Sequence, residues 1–108
     1  MYEVYVPQLR IYRTKLMGNA IVTMRIMPET PDIELKEVEE LALEKIKAFG
    51  AKGQMKTEIK PIAFGLKAID ILFMMDEAKG STDSLETDIK TIEGVQSVEV
   101  VDMRRALG

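Results

Sequence analysis

The stretch Pro61-Ile62-Ala63-Phe64-Gly65-Leu66-Lys67-Ala68-Ile69-Asp70-Ile71-Leu72-Phe73-Met74-Met75 joins a short turn to the most apolar segment of the chain. From Leu66 onward both parities are apolar, with Ile69, Ile71, Phe73 and Met75 on one side and Leu66, Ala68, Leu72 and Met74 on the other. A strand with two apolar faces belongs at the centre of a sheet. Ahead of it, Phe64 stands between alanine and glycine at the strand mouth, with few neighbours to shelter it. The residue types leave two readings open: a turn whose aromatic folds back onto the core, or an exposed aromatic offered to a partner.

Working outward, Lys52 to Lys60 alternates loosely through Met55, Thr57 and Ile59, which predicts an edge strand kept soluble by its lysines. Further upstream, Leu35, Val38, Leu41, Ala42, Ile46 and Phe49 recur at helical spacing before Gly50, and Thr30-Pro31-Asp32 supplies oxygens to cap the helix start. Glu34, Glu37, Glu39 and Glu40 come early in this helix and Lys45 and Lys47 late, as the macrodipole favours, so the acidic run is a solvated face. Before the helix, Ala20, Val22, Met24 and Ile26 alternate with Thr23 and Arg25 up to Met27-Pro28, which predicts a first strand. Downstream of Met75, Asp76 to Gly80 forms a polar turn. Ser81-Thr82-Asp83 then caps a second helix carrying Leu85, Ile89 and Ile92, closed by Gly94, and Val95 to Met103 is the last strand. This order predicts an α+β fold: a ferredoxin-like βαββαβ sandwich with a four-stranded antiparallel sheet, two helices on one face and the other face available.

A chain of 108 residues is long enough for one such domain and too short for two. Residues 17–108 are expected to form that single domain. Residues 1–16 differ in character: they hold all three tyrosines, Arg10, Arg13 and Lys15, with Glu3 their one acid. They read as a disordered or non-native extension, with Val4, Val6, Leu9 and Ile11 able to pair as an edge strand if ordered. Apolar runs fall well short of a membrane span, so a soluble, cytoplasmic protein without membrane contact is expected.

Composition excludes most chemistry. With no cysteine and no histidine, the chain lacks disulfides, thiolates, the usual zinc and haem ligands and the commonest general base at neutral pH. A net charge of −3 argues against wholesale nucleic-acid binding, which draws its affinity from cationic side chains. Lys79-Gly80-Ser81-Thr82 runs in the wrong order for a phosphate-cradling loop, and Asp76, Glu77 and Asp83 lack calcium-loop spacing and read as turn and cap residues. The eight methionines fall at apolar positions such as Met24, Met74 and Met75, where core filling accounts for them. The exception to the acidic balance is the cationic tip Asp102-Met103-Arg104-Arg105.

Taken together, Met27-Pro28-Glu29, Pro61-Ile62-Ala63-Phe64-Gly65-Leu66-Lys67-Ala68, Thr82-Asp83 and Ile92-Glu93-Gly94-Val95-Gln96-Ser97-Val98-Glu99-Val100 resemble the archaeal form of translation elongation factor one-beta over about residues 17–105. The resemblance implies a guanine-nucleotide exchange factor for the GTPase elongation factor one-alpha. It implies no covalent chemistry, no cofactor and no metal of the protein's own, and a monomer when alone. It also implies the partner-binding loop Pro61, Ile62, Ala63, Phe64 and Gly65, with Lys67 adding charge beside it. Phe64 would insert between elements of the GTPase that shape its magnesium and phosphate region. In eukaryotic relatives a lysine near the carboxyl terminus reaches the magnesium site, and alignment through Gln96-Ser97 and Met103 puts Arg105 there. Here that residue is an arginine and the chain continues through Ala106-Leu107-Gly108, which leaves Arg104 as the alternative.

Three other functions fit the same strand order. An RNA-binding module would use aromatic residues on the free sheet face, where this sequence has Leu66 and Ala68. A small-molecule-sensing sandwich favours glycine at the end of the first strand, where Met27-Pro28-Glu29 stands. A non-catalytic adaptor differs only in lacking exchange activity.

Overall fold

A computed structural model describes residues 18–106; the expectations for residues 1–16 lie outside the described residues. The elements are β1 (Asn19–Pro28), α1 (Leu35–Phe49), β2 (Lys52–Pro61), β3 (Lys67–Asp76), α2 (Asp83–Lys90) and β4 (Val95–Arg105). All pairings are antiparallel and the sheet order is β2-β3-β1-β4. This is the predicted ferredoxin-like sandwich, with β3 central and β2 at an edge.

One face of the sheet carries the core. Ala20, Val22, Met24 and Ile26 of β1 and Ile69, Ile71, Phe73 and Met75 of β3 pack with Val38, Ala42 and Ile46 of α1 and with Leu85 and Ile89 of α2. Strand residues of one parity meet both helices, so both helices cover the same face. Burying each of these larger aliphatic side chains stabilises the fold by roughly 2 kcal/mol.

The ends of the helices depart from expectation. Thr30 to Ile33 form a turn, in which the Ile33 N–H donates to the Thr30 carbonyl at 3.3 Å, and Ile33 packs against the core. The helix therefore starts one turn later, capped by Glu34, whose carboxylate accepts from the Lys36 N–H at 3.4 Å. In α2, Thr82 at the cap donates its hydroxyl to Glu86 at 2.7 Å, and Ser81 accepts from the Asp83 N–H at 2.9 Å. This helix ends at Lys90 and not at Gly94, because the chain turns to bury Ile92. Gly94 instead serves the entry to β4, at φ 94°, with a Cβ placed there only 3.0 Å from the Ile33 side chain. Gly94→Ala is therefore expected to destabilise the protein by about 1–2 kcal/mol, seen as a lower urea midpoint at unchanged m-value.

The helix-free face is mixed: Ala68, Leu72 and Met74 of β3 lie on it, with Ile21 of β1 opposite Met74, but a polar row crosses it. Glu58, Asp70, Arg25 and Glu99 stand in register across all four strands of the sheet. At the centre of that row Arg25 grips Asp70 with two bonds, Nε to Oδ1 at 2.8 Å and Nη2 to Oδ2 at 2.9 Å. Asp70 is 3% exposed. None of the described aromatic residues, Phe49, Phe64 and Phe73, offers a stacking platform here, since Phe73 is buried under the helices and the other two lie off the strands.

β4 carries one further feature that orients the tip. Val98 and Val100 face the core opposite Ile26 and Met24, but the register then shifts, so that Asp102 opposes Thr23 and Met103 opposes Val22. Val101 is the extra residue of this bulge. An inserted residue exchanges the two faces of everything that follows it.

Candidate functional site

The sequence-predicted residues fall at the two ends of the sheet. At one end β2 and β3 are joined by a tight hairpin loop. Pro61 is the last residue of the edge strand, where a missing N–H is tolerated, and opposes Lys67. The Ile62 N–H donates to the Leu66 carbonyl at 2.7 Å, and the Leu66 N–H donates to the Ala63 carbonyl at 3.3 Å. Between these bonds the chain must reverse within Ala63, Phe64 and Gly65. It does so with Phe64 at φ 65° and Gly65 at φ 76°, two consecutive left-handed residues. Glycine accepts this conformation freely, whereas for phenylalanine it is strained, and among the described residues Phe64 alone of the non-glycines adopts it.

The outcome is a side chain thrown outward: Phe64 is 94% exposed and does not fold back onto the core. Lys67 is exposed at the base of the loop. Beside it a recess of about 350 Å³ lies between the loop and the turn leading into α1, lined by Pro28, Pro31, Ile33, Leu35, Gly65 and Lys67.

At the other end β4 finishes against the start of β1. Arg105 opposes Ala20 and Arg104 opposes Ile21, so the two arginines project from opposite faces of the sheet. Arg104 is on the helix-free face and pairs along its own strand with Asp102, Nε to Oδ2 at 3.0 Å. Arg105 is on the helix side, and its Nε donates to Oε2 of Glu77 at 2.9 Å. Glu77 is itself held by the body of the domain: Oε1 accepts from the Gly18 N–H at 3.0 Å, and the Glu77 N–H donates to the Gly18 carbonyl at 2.9 Å. The Ala106 N–H extends the ladder to Asn19 at 2.8 Å. A recess of about 500 Å³ adjoins the pair, lined by Ala20, Met75, Gly80 and Met103 between Glu77 and Arg105.

The hydrogen bond from Arg105, followed by that from Gly18, holds the Glu77 carboxyl below the ordinary glutamate value, and the same partner raises Arg105. A carboxylate whose pKa falls on folding contributes its stability above the unfolded value of 4.5 and loses it as the pH drops through the lowered one. The contact should thus be intact at neutral pH and open only in acid. An NMR pH titration of the Arg105 Nε–H is expected to show a displaced resonance at neutral pH that moves to the position of a free guanidinium on acidification below the ordinary glutamate range.

The loop and the tip are far apart. β3 runs from Lys67 beside Phe64 to Asp76 beside Glu77, and at about 3.3 Å per strand residue the two ends are about 30 Å apart. The predicted site residues are therefore brought into two groups, Pro61 to Lys67 and Arg104 with Arg105, at opposite ends of one sheet. Among the described residues no three or more acidic side chains converge as metal ligands. The geometry suits two-point recognition of a large partner.

Two features escaped the sequence. Asp76 caps its turn as predicted, accepting from the Ala78 N–H at 2.9 Å, but Glu77 bonds to Arg105 across the fold. The Arg25–Asp70 pair was also missed, although a lone acid inside the apolar run Ala68 to Met75 is a signal that a cation on a neighbouring strand must face it.

Residues 21–106 match the family model of the EF-1 guanine nucleotide exchange domain. The chain is 43% identical over 89 residues to the elongation factor 1-beta of Archaeoglobus fulgidus, covering 81% of this chain and 97% of that protein. It is 35% identical over 91 residues to the elongation factor 1-beta of Methanothermobacter thermautotrophicus, covering 84% of this chain and all of the relative. Among solved structures it is similar to the de novo designed protein Foldit4 (TM-score 0.60, 15% identity, 83% of this chain and 100% of that one). It is also similar to the ACT domain of GTP pyrophosphokinase from Chlorobium tepidum (TM-score 0.52, 16% identity, 78% of this chain and 100% of that one). At such identities these two structures share the fold alone. The family model and the archaeal relatives show more: the chain belongs to the EF-1 guanine nucleotide exchange family and is of the elongation factor 1-beta type, which promotes exchange of GDP for GTP in protein synthesis.

Proposed function

We propose that the GTPase on which this chain acts is elongation factor 1-alpha, and that it is engaged at both ends of the sheet. The observation that carries this reading is Phe64, an aromatic side chain 94% exposed on a strained hairpin within the matched exchange domain. Strain of this kind persists where the surrounding structure enforces it, and it clusters at functional sites. Phe64 is the anchor, Pro61, Ile62, Ala63 and Gly65 shape its loop, and Lys67 adds charge at its base. The domain, residues 17–108, acts as a cytoplasmic monomer without direct contact to nucleic acid or membrane.

Exchange needs no nucleophile in this protein. Bound nucleotide is held in a GTPase by backbone amides, a lysine and a magnesium ion. A partner that binds the empty GTPase better than the loaded one must, by linkage, weaken the nucleotide by the same factor. The tip brings positive charge toward the ion and phosphates, with Arg105 as the group that reaches them.

The direct test is release of a fluorescent GDP analogue from elongation factor 1-alpha chased with excess GTP, with and without a catalytic amount of this protein. Acceleration at substoichiometric amounts is expected; binding without acceleration would leave an adaptor. Arg105→Ala is expected to slow the maximal exchange rate by about tenfold while weakening binding less, and equal losses in both would reduce the tip to an ordinary contact.

A further inference from the structure

We infer that Glu77 is a positioning residue for exchange: it aims the Arg105 guanidinium, and so makes Arg105 rather than Arg104 the working cation of the tip. This rests on the reading that the tip acts on the GTPase.

Several observations distinguish the two arginines. Asp102, the partner of Arg104, is two residues away on the same strand, so this pair ties the arginine to no other element. Glu77 belongs to a different element, the turn after β3, and its side chain is 18% exposed. Its carboxylate is clamped by the Gly18 N–H on one oxygen while the other oxygen takes Arg105. Arg105 thus meets a carboxylate held by a second segment of the chain, and Arg104 has only a neighbour on its own strand.

The contact also leaves the useful part of Arg105 outward. The bond to Glu77 is made by Nε, and among the described residues no hydrogen bond engages Nη1 or Nη2. The side chain remains 65% exposed. A guanidinium fastened at Nε still presents both terminal amino groups, the pair that matches phosphate or carboxylate oxygens. Fixing a long cationic side chain before contact removes part of the ordering cost otherwise met in the complex. Glu77 touches neither nucleotide nor magnesium in this account.

The test is a double-mutant cycle with Glu77→Gln, Arg105→Ala and the double variant, read as maximal exchange rate and half-saturating concentration in the fluorescent GDP assay. Glutamine can still accept from the Gly18 N–H, so the turn is retained while the charge that holds Arg105 is removed. The expected result is an exchange rate about fivefold slower, half-saturation changed by less than about twofold, and no further loss when Glu77→Gln is added to Arg105→Ala. The displaced Arg105 Nε–H resonance should move to the position of a free guanidinium in Glu77→Gln. Glu77→Asp, a methylene too short to span Gly18 and Arg105, is the second variant and should fall in the same class if glutamine disturbs the fold. A slow Arg105→Ala with a normal Glu77→Gln would overturn the positioning role alone. Additive losses would also overturn it, because Glu77 would then act through a contact of its own. A faster Glu77→Gln would mean that the carboxylate restrains Arg105 and does not aim it. An unaffected Arg105→Ala would remove the tip from the mechanism and this inference with it.

Discussion

Phe64→Ala is expected to leave the domain folded and to weaken binding to elongation factor 1-alpha by about thirtyfold or more, the scale of about 2 kcal/mol found when a buried aromatic anchor is truncated. The fold should not suffer, because a side chain 94% exposed contributes little packing. Phe64→Gly sharpens the test. Glycine is at ease at φ 65°, so this variant relieves the backbone strain while removing the ring. A loss of exchange in a protein no less stable than the parent would separate the contact from the fold. Calorimetric affinity for the nucleotide-free GTPase, with urea unfolding of the same preparations, measures both quantities. Unchanged affinity and exchange in the well-folded variants would exclude Phe64 from the interface.

Arg25→Met is expected to destabilise the protein by about 3 kcal/mol, and Asp70→Ala by about 1–2 kcal/mol, although both break the same ion pair. Asp70 is 3% exposed, so removing the arginine strands a carboxylate inside the sheet. The Arg25 side chain is 32% exposed and lies near Glu99, so without Asp70 it can still reach water and another acid. That exposure also puts the Arg25→Met cost at the low end of what breaking a buried pair incurs. Urea unfolding of the two variants measures the difference. Equal costs, or the reverse order, would mean that the pair shares its burial evenly and that this view of the sheet's polar centre is wrong.

Much of the fold was legible because local pattern and tertiary demand coincide. The alternation Ala20, Val22, Met24 and Ile26 marks the core face of β1, and the spacing of Val38, Ala42 and Ile46 marks the buried stripe of α1. Pro61 and Gly65 announced the tight connection between β2 and β3. The misjudged helix ends have a common cause. Thr30-Pro31-Asp32 can cap, and Gly94 can terminate, but Ile33 and Ile92 are drawn into the core, and their burial moved the boundaries by several residues.

What the sequence by itself determined is the order of elements, the central place of the doubly apolar strand, and the placement of chemically unusual residues at a turn and at a cationic tip. Each depends on residue type and spacing along a few consecutive positions. The tertiary structure decided what depends on distant partners: that Phe64 points out instead of back, that Asp70 lies under Arg25, and that loop and tip stand about 30 Å apart at opposite ends of β3. It also decided which arginine meets Glu77. Had β4 run without its bulge, residues 102 and 104 would have continued the face of Val98 and Val100; the extra residue Val101 puts Met103 and Arg105 there instead. A strand's period of two makes every side-chain direction conditional on register, and register is set by the neighbouring strand.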